Sequence, residues 1–412
     1  MKSTTDTFEI ELNSLLKKYF GEDELIHIDQ NLNSSNRESD KITELINDFY
    51  RSQLQIDTNN YCERIKIDRT ITFSEKKLQA DEYCKFLLEL GNLCLSGGRL
   101  NIAEEVFRKT KKSSNKQTLM AESLLGLSDV YSRRADWKRS LKTVIDAELL
   151  YREINDNSGI ARCNNLLGII FGERGELVKA RKYLLNSLFL INPETDLKIA
   201  ADLNMNLGII DSIQGNYDNS LRHLKSAQMS YLTLGDEKKV AEVNHNIGMA
   251  YFESDDYKSA ISYFDQAIEI AKAGRFMFVL CLVYLAKSQV LIKMNDITNA
   301  AEFADKSFEI SHNIDDKLTL ADIYKTKGII QRYLHNYQES ENFLLSSINL
   351  NTRLKNEQNI AETYFELAIL YDEMNKSESK NNYLKKSLDY FKQINAVDKV
   401  NTIENMLASG TA

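Results

Sequence analysis

Proline is almost absent from this chain: one residue, Pro193, in 412, where about one in twenty is usual. Proline removes a backbone donor and breaks a helix interior, so a chain without it is free to be helical nearly throughout. A basic excess is lacking too. Lysine and arginine total 52 against 60 aspartates and glutamates, a formal net charge of −8. General nucleic-acid binding requires a basic stripe, so no direct nucleic-acid partner is expected. No apolar run reaches the roughly 18 residues of a membrane-spanning helix, and no membrane insertion is expected. The opening Met1-Lys2-Ser3-Thr4-Thr5-Asp6 lacks the apolar stretch of a secretory leader. The five cysteines, at 62, 84, 94, 163 and 281, form no CxxC pair. An odd, scattered set without a leader reads as reduced thiols in a cytoplasmic protein.

Catalytic signatures are missing as well. The histidines at 27, 223, 245, 312 and 335 have neither zincin nor finger spacing, and no Cys/His cluster accompanies them. There is no Walker loop, no GxGxxG and no GxSxG. Leu95-Ser96-Gly97-Gly98 reads as a turn between helices rather than a phosphate cradle. No catalytic residue, metal or cofactor is expected.

What the chain has is an internal repeat. Alanine stands at 121, 161, 201, 241, 321 and 361, and the gap at 281 holds Cys281. An exact period in this range marks a solenoid of supersecondary units. Counting that alanine as position 1, position 8 is always small: Ser128, Gly168, Gly208, Gly248, Ser288, Gly328, Ala368. Position 11 is often aromatic (Tyr131, Phe171, Tyr251, Tyr371). Position 20 is small except at Lys380, position 24 is mostly large and apolar, and position 27 is Ala or Ser. Apolar spacing of three and four is helical. Breaks fall near position 15 or 16 (Gly175, Gly215, Asp256, Asn295, Asn336) and near 35 (Asn155-Asp156, Gly235-Asp236, Asp315-Asp316, Lys355-Asn356). Each unit is therefore two helices, A then B. Small residues at 8 and 20 let the pair approach, and large ones at 7, 11 and 24 are expected to fill the layer between pairs.

Leu-Gly followed by an aromatic in helix A, then Ala, an aromatic and Ala in helix B, resembles the tetratricopeptide repeat. Ile247-Gly248, Tyr251, Ala260, Phe264 and Ala267 show it most plainly. The usual period is about 34; the longer unit here is similar to those of kinesin light chain and of bacterial Rap-type and signalling-sensor proteins. The resemblance implies an all-α fold, a right-handed α-solenoid of about eight helix pairs over 84–400, in units 84–117, 121–160, 161–200, 201–240, 241–280, 281–320, 321–360 and 361–400. The first unit (Leu90-Gly91, Cys94, Ala103, Phe107) is offset from the register. Units 281–320, with Lys287 and Ala304 at large-apolar positions, and 361–400, with Lys380, depart from the pattern. Residues 1–80 form an N-terminal helical cap or a small effector-contacting bundle, with helices expected at Phe8–Phe20 and Ile42–Leu54 around a polar linker, 31–36. Thr72–Leu95 is expected to run from an adaptor helix into the first repeat, and 401–412 to be a tail.

The resemblance also implies a function: a non-enzymatic scaffold that binds a protein or peptide segment in a groove lined by the A helices. The alternative is a signalling regulator controlled by a peptide or partner protein. Two features of the A helices bear on this. Asparagines cluster at 164/165, 204/206 and 244/246; an amide offers both a donor and an acceptor, so such a row can hold an extended peptide backbone or bridge neighbouring helices. Position 2 is acidic in Glu122, Asp202, Glu242, Asp322 and Glu362, which would favour a basic partner segment or simply complement the helix dipole from the first turn. The candidate groove residues are Asn165, Met205, Asn206, Ile209, His245, Asn246, Met249 and Phe252, with Ile329, Phe365 and Ile369 as further apolar candidates.

Overall fold

The computed structural model describes residues 7–21, 24–25, 58–314, 317–393 and 396–408. The expected helix at Ile42–Leu54, the linker 31–36 and the Asp315-Asp316 turn lie outside the described residues. Nineteen helices and no strand occur among the described residues, the all-α class anticipated from the repeat. The chain divides into two compact units, one ending at Asn206 and one beginning at Leu207.

The first unit opens with α1 (Thr7–Tyr19) and α2 (Thr58–Lys77). Phe8, Leu12, Leu16 and Phe20 recur every fourth residue and are buried in one core with Phe86, Leu87 and Leu90 of α3 (Ala80–Ser96). Arg99 stacks its guanidinium 3.7 Å from the Phe8 ring centroid and bonds Glu63 of α2 at 2.5 Å. Between Thr72 and Leu95 the chain passes from α2 into α3, with Gln79 extended between the two helices. Then come the pairs α3 with α4 (Leu100–Ser113), α5 (Gln117–Arg133) with α6 (Trp137–Glu153), and α7 (Asn157–Glu173) with α8 (Leu177–Leu190). The boundary falls inside α9 (Leu197–Ile213).

The second unit holds the rest of α9 with α10 (Tyr217–Leu234), α11 (Glu237–Glu253) with α12 (Tyr257–Ala273), and α13 (Met277–Lys293) with α14 (Ile297–Ile314). It continues with α15 (Lys317–Tyr333) and α16 (Tyr337–Leu354), α17 (Glu357–Glu373) and α18 (Ser377–Gln393), and α19 (Val397–Ala408). Residues 401–408, assigned to a tail by the sequence, are helical, and Ile403 is buried in one core with Leu384, Leu388 and Phe391 of α18.

The turn inside each pair is set by backbone conformation more than by residue type. Position 15 is left-handed throughout, at Ala135, Gly175, Gly215, Asp255, Asn295, His335 and Asn375, with φ between 55° and 76°. The next helix starts on a capping side chain where one is present: Asp136 and Asp256 accept from the backbone N–H three residues on, as do Asp156, Asp236 and Asn356 at the turns between pairs.

The small residues have a specific reason. A Cβ on Gly168, Gly208, Gly248 or Gly328 would stand 2.5–2.6 Å from the position-24 side chain of the same pair: Leu184, Leu224, Phe264 or Leu344. Position 24 thus packs first onto position 8 inside its own pair, rather than only between pairs as the pattern suggested. Serines complete the fit. Ser128 and Ser140 each donate to the other's carbonyl at 2.9 and 2.8 Å, and Ser340 donates to the Gly328 carbonyl at 2.7 Å. At position 27, Ser187, Ser307 and Ser387 donate to the position-1 carbonyls of Ala161, Cys281 and Ala361 at 2.6–2.8 Å. Position 11 stacks on an aromatic at position 23: Phe171 on Tyr183, Tyr251 on Tyr263 and Tyr371 on Tyr383, with centroids 5.3–5.5 Å apart.

The polar residues at core register positions, in units 281–320 and 361–400 and at Lys327, are accommodated by ion pairs. Lys287 at position 7 pairs with Asp265 and lies 4.5 Å from the Phe303 ring centroid; Lys327 pairs with Asp305 between Phe308 and Phe343. Lys380 is buried and pairs with Asp372 at 2.9 Å.

Candidate functional site

Along the A helices α9, α11 and α17, positions 2, 5, 6 and 9 interrupt a buried pattern. In α11, Glu242, His245, Asn246 and Met249 are half-buried while Ala241, Val243, Asn244, Ile247 and Gly248 are buried. This half-open face is where the sequence placed its groove residues, and all eight candidates are half-buried.

In the first unit, Asn206 Nδ2 donates to Asn165 Oδ1 at 2.9 Å. The bond joins consecutive A helices, α7 and α9, which is the bridging role the sequence left open. Met205 precedes the pair. The other asparagines of the row divide differently. Asn164 is buried, and Asn204 donates to its own helix at Ala200 O, 2.9 Å.

In the second unit, His245 Nδ1 lies 3.3 Å from Asn246 Oδ1, and burial lowers the His245 pKa, favouring the neutral ring. Met249 and Phe252 continue the same face and pack against the core of α12 to α14. Ile209 is half-buried one A helix earlier. Asn244 is buried and accepts from Gln228.

The position-2 carboxylates are not in a first turn. Helix A begins four residues before position 1, so Glu122 is the sixth residue of α5, beyond the turn in which a helix dipole acts. Their partners are cations on the same face: Arg162 at 3.7 Å from Glu122, and Lys239 at 2.6 Å from Glu242.

A concentration of charge lies further along the second unit, on α15 and α17, and the sequence reading did not single it out. Lys325 Nζ lies 2.7 Å from Glu362, 2.6 Å from Asn359 Oδ1 and 3.6 Å from Asp322. Gln289 of α13, Asp322, Lys325, Asn356, Gln358, Asn359 and Glu362 line an open polar cleft of about 360 Å³. Beyond it, Arg332 bonds Glu373 at 2.5 Å and approaches Glu366 at 3.5 Å. Glu366 Oε2 and Arg332 Nε are buried atoms without a hydrogen-bond partner.

Environment separates these carboxyl groups. Burial raises Asp322, only partly offset by the Lys325 charge. Burial also raises Glu366 against the pull of Arg332. Glu362 is pushed up by burial but held below its ordinary value by the charge and hydrogen bond of Lys325. Lys325, although burial works against its charge, stays above its ordinary value through Glu362 and Asp322. Asp322 and Glu362 were legible as members of the acidic row. Lys325, Arg332 and Glu366 were hidden because positions 5, 6 and 12 differ in type from unit to unit.

Among the described residues no group of His, Cys, Asp and Glu is arranged to hold a metal ion, and no helix is long and apolar enough to cross a membrane.

Residues 199–273, spanning α9 to α12, match the tetratricopeptide repeat family. No curated protein matches the chain. Among solved structures, a Rap protein complexed with competence and sporulation factor aligns over 81% of this chain and 98% of its own, at 10% identity and a TM-score of 0.56. The regulator NprR bound to its cognate peptide NprX aligns over 79% and 97%, at 11% identity and a TM-score of 0.55. A signal-transduction ATPase with a tetratricopeptide repeat sensor, from Pyrococcus horikoshii, aligns over 82% of this chain and 52% of its own, at 14% identity and a TM-score of 0.59. At these identities the likeness is one of fold: the chain is of tetratricopeptide-repeat type, resembling the Rap-type arrangement.

Proposed function

We propose that this chain is a non-enzymatic interaction module that holds an extended segment of a partner protein or peptide against its A helices. In the first unit the contacts would come from Asn165, Met205 and Asn206. Their mutual bond uses one donor and one acceptor, and leaves Asn165 Nδ2 and Asn206 Oδ1 for a peptide backbone. In the second unit they would come from Ile209, His245, Asn246, Met249 and Phe252, and from the cleft around Lys325.

The observation that carries the proposal is the charged cluster on α15 and α17 beside an open polar cleft. Asp322, Glu362, Glu366 and Glu373 gather there with Lys325 and Arg332, and Lys293 and Lys399 act on Glu366 from further off. The cleft itself is lined by two carboxylates, Asp322 and Glu362, and one cation, Lys325, so a segment carrying Lys or Arg would meet a local acidic excess.

The test is a titration of the purified chain with extended peptides in lysine-bearing and glutamate-bearing versions. The proposal expects the lysine versions to bind and Glu362→Gln with Glu366→Gln to abolish the preference. Equal binding of both versions, unchanged by the substitutions, would sink it. The regulator alternative draws support from likeness to a Rap protein complexed with competence and sporulation factor and to NprR in complex with its cognate peptide, which extends over 98% and 97% of those chains. It predicts that a short free peptide displaces a bound protein partner, and displacement by mass spectrometry after pull-down separates the two readings.

A further inference from the structure

A second pocket, on the other side of the repeats and wholly within the first unit, has the opposite charge. It measures about 420 Å³ and lies between the B helices α4 and α6, with α5 beneath. Arg108, Lys111 and Lys112 of α4 form one wall; Arg139, Lys142 and Asp146 of α6 line the other. Spacings of three and four put each set on one stripe. The floor is apolar, made by Leu124, Leu127 and the ring of Tyr131.

Ordinary helix electrostatics explains part of this and not the rest. Lys111 and Lys112 lie in the last turn of α4, where cations complement the dipole. Arg139 lies in the first turn of α6, where a cation opposes it. Arg108 and Arg139 are held in place, Arg108 by Glu104 at 2.7 Å and the Tyr131 hydroxyl at 3.0 Å, Arg139 by Asp136 at 2.6 Å with its guanidinium 4.6 Å from the Tyr131 ring centroid. Lys111, Lys112 and Lys142 have no acidic partner among the described residues.

The repeat supplies an internal control. The seven register positions of Arg108, Lys111, Lys112, Arg139, Lys142, Thr143 and Asp146 hold five cations here. At the next step they hold two, Lys179 and Lys182, and at no later step more than one. The concentration is particular to this pocket, in a chain whose net charge is −8.

We propose that this pocket is a docking site for a segment of a partner protein in which carboxylates flank a leucine-sized apolar side chain. The carboxylates match the two cationic walls, and the apolar side chain matches the Leu124, Leu127 and Tyr131 floor, which a bare anion would leave unused. The site is independent of the A-helix face and takes a ligand of opposite charge.

The probe is a fluorescein-labelled octapeptide with Asp and Glu around a central Leu, followed by anisotropy. Controls replace Leu by Gly, or the acids by their amides. Saturable binding of the parent peptide is expected, weakened by salt and by either replacement. The triple variant Lys111→Ala, Lys112→Ala, Lys142→Ala should bind about tenfold or more weakly, because three cations of the walls are lost, and Lys258→Ala, at an exposed lysine outside the pocket, should bind normally. Circular dichroism checks the fold, and the single variant Lys142→Gln, on an exposed side chain, gives a second reading in the same direction. Absence of saturable binding, equal binding by the triple variant, or equal loss of the peptide to inorganic phosphate and to the Leu-free control would each overturn the proposal. The last of these outcomes would reveal a simple anion site.

Discussion

Gly208→Ala tests the packing rule of the repeat, because two effects predict opposite signs. Alanine in a helix interior is favoured over glycine by about 1 kcal/mol, so propensity alone makes the variant more stable. The structure opposes this. The new Cβ would stand 2.6 Å from Leu224 Cγ and 2.8 Å from its Cδ2, with the Ser220 carbonyl oxygen 3.1 Å away. Cγ is a branch point and Ser220 O is backbone, so neither moves cheaply. Overpacking of this kind costs about 1–3 kcal/mol. The net expectation is a loss of up to about 2 kcal/mol once the propensity gain is set against it. A double-mutant cycle sharpens the test. Leu224→Ala alone should cost about 2–5 kcal/mol. In the Gly208→Ala background it should cost less, with a coupling of about 0.5–3 kcal/mol, because removing the leucine relieves the clash. Urea denaturation followed by circular dichroism measures all four corners. A stabilised Gly208→Ala, or strict additivity in the cycle, would refute the assignment of position 8 as the seat of position 24.

Other consequences are open to measurement. Gly215→Val should cost about 1–2 kcal/mol, since position 15 is left-handed with φ 76° at this glycine; Gly215→Asn should cost less, and equal midpoints for both would refute the turn reading. Asp156 caps α7 through the Gly159 N–H at 2.8 Å, so Asp156→Ala should lower stability by about 1 kcal/mol in the same denaturation assay. The raised pKa of Glu366 means that the folded chain holds this proton more tightly than the unfolded one, so its contribution favours folding at low pH and is lost as pH rises from the ordinary value of 4.5 through the folded-state value. Glu366→Gln should therefore flatten the fall in stability above that point, and a steeper fall would show that Arg332 outweighs burial.

The repeat itself was legible because its signal is redundant. Small residues at 8, 20 and 27 recur in nearly every unit, and helix breaks coincide with positions 15 and 35. The direction of packing was not legible, since Leu224 is as apolar against Gly208 as it would be between pairs. Lys287 looked like a lost core position because a sequence shows the charge and hides the stem, and Lys327 stands at the same register position. In the fold the stems run past Phe303 and between Phe308 and Phe343 to reach Asp265 and Asp305. The asparagine row was visible as a cluster, but its members part company: Asn164 is buried, Asn204 bonds its own helix, and Asn165 and Asn206 meet each other. The cluster around Lys325 depends on Asp322, Glu362 and Asn359 meeting across two helices, and no single unit displays it.

The lysine pairs make the order of units matter. Lys287 reaches back to Asp265 and Lys327 to Asp305, in each case from position 7 of one unit to position 25 of the unit before. Excision of residues 281–320 would bring Lys327 to face Asp265, and the link would re-form. Excision of 321–360 would set Leu367 against Asp305 and strand the carboxylate. Excision of 241–280 would put Lys287 against Lys225. Deletions of equal length in one uniform register thus have unequal outcomes. Stacking in this stretch is keyed, and the chain can lose one of its units far more easily than its neighbours.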